Sequence, residues 1–398
     1  MCNRRAFLHC SGGAATGLLA STGQDKEARK QRAVTIFLCG DVMTGRGIDQ
    51  VLPYSCDPRL HESYVESARE YVQLAERVNG SIPAPVSFSY IWGDALKEFE
   101  EMAPDVRIIN LETAVTTSDD WAAKGINYRM HPRNVECLTA AGIDCCVLAN
   151  NHVLDWGCSG LSETLGTLHG AGLKIAGAGE NRVAAEAPAV LRTNGPARVL
   201  VFACGLPDSG IPDSWGATRQ RPGIALLQEL SETEAEAIAR RVRAVKQARD
   251  IAIVSIHWGG NWGYEVPAEQ QAFARMLIER ADVDVVHGHS SHHPKGIEVY
   301  KGRPILYGCG DFLNDYEGIR GYEQYRSHLV LMYFATIDPE RRELVRFAMR
   351  PLEIRRFRLQ RASATQAQWL RAALDRESKK SGARVARRED NTLTLGWR

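Results

Sequence analysis

The chain has 398 residues, 44% of them hydrophobic and 24% charged, with a formal net charge of +1. That is an ordinary globular composition with ample apolar content for a large core, and its charge balance excludes a global field that selects nucleic acid or an anionic membrane. No apolar run approaches the ~20 residues needed for a membrane-spanning helix.

The N-terminus reads as a separate object. Asn3-Arg4-Arg5-Ala6-Phe7-Leu8-His9 precedes a weakly apolar, Gly/Ala-rich stretch from Cys10 to Ala20. Paired arginines followed by Phe-Leu resemble a twin-arginine export signal, which implies an exported or cell-envelope protein. The alternative is a disordered basic start on a cytoplasmic protein, because His9 interrupts the stretch and no A-x-A cleavage site follows. Residues 1–32 are read as this export-signal-like segment and a linker.

From there, β-branched apolar runs alternate with helical patterns, which predicts an α/β fold. The strand runs are Val34–Cys39, Val106–Ile109, Cys145–Ala149, Leu173–Ala176, Arg198–Ala203, Ile251–Ile256, Val283–Val286, Pro304–Tyr307 and Leu329–Ile337. Between the first two lies an insertion, residues 53–91, with a helix over Tyr64–Val78 and a proline-punctuated segment, Ile82–Val86. It either shapes a substrate pocket or decorates the surface. Helices are predicted over Ser159–His169, Ser231–Arg249 and Gln270–Ala281. Acidic residues at the start of the second of these and basic ones later suit the helix dipole. Interleaved elements argue for one large domain over residues 33–355, followed by a C-terminal helical extension, 356–398, with a helix over Gln366–Lys379.

The chemistry-bearing residues sit at the ends of these runs. In open α/β sheets ligands bind outside the carboxyl ends of strands. The first run ends in Gly40-Asp41-Val42-Met43-Thr44-Gly45-Arg46; Asp41 can ligate or bridge metals, and Arg46 can hold an anionic group. The second ends in Asn110-Leu111-Glu112, whose outer residues share one side of an extended chain, and Glu112 is the favoured partner for Asp41 because a carboxylate offsets a cation's charge. Asn150-Asn151-His152 follows the third, with Asp155 placed to orient His152. His257 follows the sixth among glycines and aromatics; Trp258, Trp262 and Tyr264 either line a substrate wall or simply pack. The seventh ends in His287, His289, His292 and His293, and imidazole is the commonest protein ligand for transition metals. His289 and His292, three apart in a turn, are the best pair, whereas His293 is held extended by Pro294. Asp311, after the eighth, can act on the substrate or support a histidine.

Ten cysteines are present with no C-x-x-C pair, so core thiols are expected rather than disulfides or a cysteine zinc site. There is no G-x-S-x-G elbow, Walker sequence or dinucleotide fingerprint.

Gly40 through Arg46, Asn110-Leu111-Glu112, Asn151 through Gly157, His257-Trp258-Gly259, Gly288 through His292, and Lys295 through Tyr300 together resemble the CapA family of poly-γ-glutamate capsule biosynthesis proteins. The resemblance runs from about Val34 to Asn314. It implies a calcineurin-like metallophosphoesterase fold, a four-layer α/β/β/α sandwich rather than a simple doubly wound sheet. It also implies two divalent metal ions (Mn, Zn or Fe) held by Asp41, Glu112, Asn151, His257, His289 and His292. His152 is then the acid/base, with Asp155, Arg46 and Asp311 as further catalytic residues. Met43 stands where a ligand histidine is usual in that fold, which argues against ordinary phosphoesterase chemistry. The expected function is metal-dependent chemistry on a peptide or poly-γ-glutamate polymer. The alternatives are a non-enzymatic assembly factor of a membrane synthase complex, a phosphoesterase and a metal-dependent peptide epimerase.

Overall fold

In strand Arg198–Gly205, Val199, Val201 and Ala203 enter one apolar core while Leu200, Phe202 and Cys204 enter another. The same alternation runs through strand Ile251–His257, where Ile251 and Ile253 face the first core and Ala252, Val254 and Ile256 the second. A strand apolar on both faces must be covered on both. The computed structural model, which describes residues 33–397, supplies both covers.

Two sheets pack face to face. The ten-stranded sheet has a path of eight strands, Arg384–Arg387, Leu393–Gly396, Glu343–Ile354, Leu329–Asp338, Val34–Val42, Val106–Leu111, Cys145–Val147, Lys174–Ala176, with Asp311–Leu313 beside Val34–Val42 and Leu359–Arg361 beside Glu343–Ile354 off it. Along the path the last four strands are parallel and the others pair antiparallel. The six-stranded sheet runs Ile297–Tyr300, Arg303–Leu306, Val285–His289, Ile251–His257, Arg198–Gly205, Ala189–Arg192. Ile36, Leu38 and Ile108 of the large sheet share the central core with Val201, Ile253 and Val285 of the small one. Helices Glu232–Val245 and Ala268–Arg280 close the outer face of the small sheet through Ile238, Val242, Phe273 and Leu277. Helix Ala95–Met102 covers the large sheet, with Phe99 edge-on to Phe37 at 4.7 Å, as does Gly157–Gly170 through Leu161, Leu165 and Leu168. The result is the four-layer α/β/β/α sandwich.

Each strand run expected from sequence falls on a strand. Other strands, among them Ala189–Arg192, Asp311–Leu313 and Glu343–Ile354, were not among the expected runs. The expected helical tail after residue 355 is corrected. Helix Ala364–Ser378 is present, but strands Arg384–Arg387 and Leu393–Gly396 follow and extend the large sheet. Exposed arginines at 384 and 387 conceal the alternation of buried Val385, Leu393 and Leu395.

The insertion 53–91 is tied to the first strand end rather than hanging free. Its helix, Ala68–Asn79, starts in a capping box at Ser67 and Glu70, and Tyr71 and Glu62 reach Arg46. All eight described cysteines are free thiols, seven of them buried. No described helix is long and apolar enough to cross a membrane. The export-signal-like residues 1–32 lie outside the described residues.

Candidate metal centre

The centre forms where strand ends of both sheets meet. Strand Val34–Val42 shifts register between Leu38 and Asp41 against its parallel neighbour. At that point Asp311–Leu313 takes over its other edge, with Asp41 opposite Asp311. Gly40 makes this approach possible: a Cβ there would sit 1.6 Å from the Gly310 carbonyl oxygen. Two carboxylates thus stand side by side on adjacent strands.

Ligand-type atoms gather in two groups, Asp41 with His257 and His289, and Asp41 with His292 and Asp311. Within each group the atoms lie within 4.8 Å of one another, and all five residues are buried. Asp41 belongs to both. Its Oδ1 accepts from Asn110 Nδ2 at 2.7 Å, but Oδ2 is buried with no hydrogen-bond partner. A buried acceptor left unpaired is costly. Burial and the neighbouring Asp311 carboxylate push the Asp41 pKa up to about 7. Burial, then Asp41 and Asp311, also raise Glu112 well above the usual carboxylate range. A divalent cation fits this cluster: it pairs the orphaned oxygen and neutralises the crowded negative charge.

The imidazoles are supplied in a form that suits a cation. Burial pushes His287 down to about 4 and His289 well below its ordinary value, so both are neutral. His287 Nε2 lies 2.7 Å from the Cys39 carbonyl, which only accepts, so the proton is on Nε2. His287 Nδ1 then accepts from Ser255 Oγ at 2.9 Å, and Ser255 Oγ accepts from His289 Nε2–H at 2.9 Å. His289 Nδ1 is left as a lone pair, 2.7 Å from His257 Nδ1. This chain crosses from one sheet to the other and settles a tautomer that sequence cannot show.

Of the other expected residues, Asn151 meets the centre through His257, its Oδ1 3.1 Å from His257 Nε2. Glu112 falls in neither group; its Oε2 is 3.4 Å from Asn110 Nδ2 and its Oε1 is 3.8 Å from His152 Nε2. His152 Nδ1 donates to Asp155 Oδ2 at 2.7 Å, leaving Nε2 turned toward Glu112. Burial holds the His152 pKa down to about 4, against the opposing pull of Asp155. His292 Nδ1 is 2.7 Å from Asp311 Oδ1, and Asn314 Nδ2 donates to Asp311 Oδ2 at 2.8 Å. Burial lowers the His292 pKa, but Asp311 outweighs it and the net shift is upward.

Two residues stand apart from the cluster. Arg46 is buried and braced: it bonds Asp315 through Nε at 3.2 Å and Nη2 at 2.5 Å, Glu62 at 2.9 Å and Tyr71 at 3.0 Å. With these donors engaged it ties the insertion to the loop after Asp311, rather than holding an anion. His293 turns away, accepting from Gly263 N at 3.1 Å and stacking on Tyr325 at 4.4 Å. Met43, at the expected histidine position, receives a Tyr316 hydroxyl at 3.4 Å instead.

Ser255 and Lys124 were not among the residues the sequence pointed to, whereas Asn110 and His287 were. Ser255 and His287 alternate with His257 and His289 on their strands, so period-two spacing put them on the same faces. Asn110 links Asp41 to Asn150, donating to the first and accepting from the second at 3.0 Å. Lys124, in an irregular segment with no pattern to flag it, donates to Asp155 Oδ1 at 2.7 Å and lies 3.3 Å from His152 Nδ1.

Comparison with known proteins identifies the family. Residues 35–316 match the family model described as bacterial capsule synthesis protein PGA_cap. A probable polyglutamine synthesis accessory protein of Mycobacterium tuberculosis is 49% identical over 364 residues, which is 91% of this chain and 96% of the relative. The capsule biosynthesis protein CapA of Bacillus anthracis is 24% identical over 306 residues, covering 77% of this chain and 64% of that protein. The PGA biosynthesis protein CapA of Bacillus subtilis is 27% identical over 249 residues, covering 62% and 60%. A match over most of the sandwich, together with near end-to-end similarity to a relative, makes this chain a member of the PGA_cap, or CapA, family of bacterial capsule synthesis proteins.

Proposed function

We propose that the protein is a metal-dependent enzyme of capsule or polyglutamate biosynthesis that acts on an amide-containing polymer or peptide at the cell envelope. The observation that carries this reading is that Asp41 belongs to both groups of buried ligand atoms, and His152 Nε2 lies 3.8 Å from the neighbouring Glu112 Oε1. Asp41, His257, His289, His292 and Asp311 would hold the cations, Mn, Zn or Fe, with Glu112 and Asn151 beside them. When bound, these ions supply Lewis-acid polarisation of a carbonyl. His152 acts as the proton acceptor and donor: its Nδ1–H is fixed on Asp155, and Nε2 carries the free lone pair. Lys124 holds Asp155 in place from the other side. Elemental analysis of purified, reconstituted protein tests the centre. At least about one equivalent of Mn, Zn or Fe is expected; less than about a tenth rejects the reading.

A second reading is a non-enzymatic factor that organises a membrane synthase complex. It is favoured by the word "accessory" in the name of the Mycobacterium tuberculosis relative. Complementation of a deletion strain separates the two. An enzyme requires both Asp41 and His152, so Asp41→Ala and His152→Ala abolish polymer production; full restoration by both variants establishes the scaffold instead.

A further inference from the structure

Two tyrosines join the ligand cluster to His152. The Tyr316 ring meets the His292 ring at a centroid distance of 5.6 Å and an interplanar angle of 78°. The Tyr128 ring meets the His152 ring at 4.4 Å and 75°. Their hydroxyl oxygens are 2.8 Å apart. We propose that Tyr316 is a further catalytic residue, whose O–H donates to the carbonyl oxygen of the substrate amide as negative charge collects there. That role rests on the proposed reading of the centre as one that acts on an amide.

The partners fix the direction of each hydrogen bond. Tyr316 Oη lies 3.4 Å from Met43 Sδ, which only accepts, so the Tyr316 proton points at sulfur. A phenol has one proton, so Tyr128 donates to Tyr316 and not the reverse. A thioether is a weak acceptor. The Tyr316 O–H is therefore held in position but poorly bonded, and a carbonyl oxygen within reach is the stronger partner. Burial, and then the Asp311 charge, raise the Tyr316 pKa well above its ordinary value, so the hydroxyl keeps its proton. Arg46 pulls the other way, with its guanidinium 4.5 Å from the Tyr128 centroid and 5.8 Å from that of Tyr316. A nearby cation makes a phenol the better donor.

Of the two tyrosines, only Tyr316 can be reached. Tyr128 is fully buried. Tyr316 is half-buried and, with Trp262 and Asn314, lines a cavity of about 410 Å³. Asn314 Nδ2 donates to Asp311 Oδ2 at 2.8 Å, so this wall runs on into the ligand cluster.

Charge reaches the carbonyl oxygen by either route open to an amide. When a nucleophile's electron pair bonds the carbonyl carbon, the C=O π pair moves onto oxygen. When His152 Nε2 takes the proton of the adjacent Cα, the C–H pair forms a C=C bond and the π pair again moves onto oxygen. In both cases the phenol keeps its proton and only exchanges sulfur for oxygen as its acceptor. A donor already aimed at that oxygen favours the transition state over the ground state.

Complementation of a deletion strain tests the assignment, with metal content and melting temperature measured on each purified variant. Tyr316→Phe removes the hydroxyl alone. It is expected to lower polymer production at least about tenfold, with wild-type metal content and a melting temperature within about 3 °C of wild type. Tyr128→Phe leaves the Tyr316 O–H in place and is expected to cost less. Equal losses in the two Phe variants make the pair structural and overturn the assignment, as does lost metal or a larger drop in melting temperature in Tyr316→Phe. Full production by Tyr316→Phe while Asp41→Ala and His152→Ala fail also overturns it, and leaves the metal-dependent reading standing. Full production by Asp41→Ala and His152→Ala overturns that reading, and the role of Tyr316 with it.

Discussion

At the scale of single residues, the centre depends on protons placed by partners away from the ligand cluster. Ser255 is the clearest case. Its hydroxyl takes the Nε2–H of His289 and gives its own proton to His287. In Ser255→Ala the His289 ring loses the acceptor that keeps Nδ1 free. Metal affinity is expected to fall about 10–100-fold with the fold intact; a chelator-competition titration measures it, and an unchanged affinity removes Ser255 from the argument. The histidine turn offers a sharper contrast. His289 and His292 face Asp41, whereas the His293 Nε2 lone pair is already used by Gly263 N. Metal content is expected to drop in His289→Ala and His292→Ala and to stay near wild type in His293→Ala. Equal loss in all three contradicts the register described above.

At the scale of elements, buried charge fastens the small sheet to its surroundings. Asp284, fully buried before strand Val285–His289, accepts from Ala252 N at 2.8 Å, Lys246 Nζ at 2.6 Å and Arg342 Nη2 at 2.7 Å. These partners come from the neighbouring strand, from the end of helix Glu232–Val245 and from the turn before Glu343–Ile354. Removing one member of such a network strands the others away from full hydration. Asp284→Ala is expected to cost about 3 kcal/mol, read from the midpoint of urea unfolding. A loss under about 1 kcal/mol means that solvent already screens the cations. Arg46 plays a comparable part at the first strand end, where Asp315 and Glu62 hold it between two loops.

For the whole molecule, the candidate ligands are divided between the two sheets. Asp41 and Asp311 come from the large one, His257 and His289 from the small one. A cation bound there links both halves of the sandwich and binds the folded chain only. At a free concentration 100 times its Kd it adds about 2.7 kcal/mol. For a chain of this size that is a rise in Tm of about 3 °C. Differential scanning calorimetry with and without chelator measures the shift, and identical melting curves exclude a tightly bound ion in this position.

The strands of the sandwich and the residues at their ends were legible in the sequence for a local reason. Runs such as Val34–Cys39 and Ile251–Ile256 are apolar on both faces, and each is followed within two residues by Asp or His. The pairing of His152 with Asp155 was equally local, three residues apart on one turn. Other features arise only when distant segments meet. Asp311 lies 270 residues from Asp41 in sequence but opposite it in register, because a short strand replaces Leu329–Asp338 at that edge. Arg46 looked available for an anion until Glu62 and Asp315 were found around it. The terminal strand pair was hidden because an edge needs few apolar residues and carries many charges. Sequence by itself determined which groups stand at the strand ends, since alternation and chain polarity are properties of consecutive residues. Which of those groups share a cation-sized space, and which are claimed by neighbours, was decided by the tertiary structure, because hydrogen bonding and Coulomb interactions act on distance in space rather than along the chain.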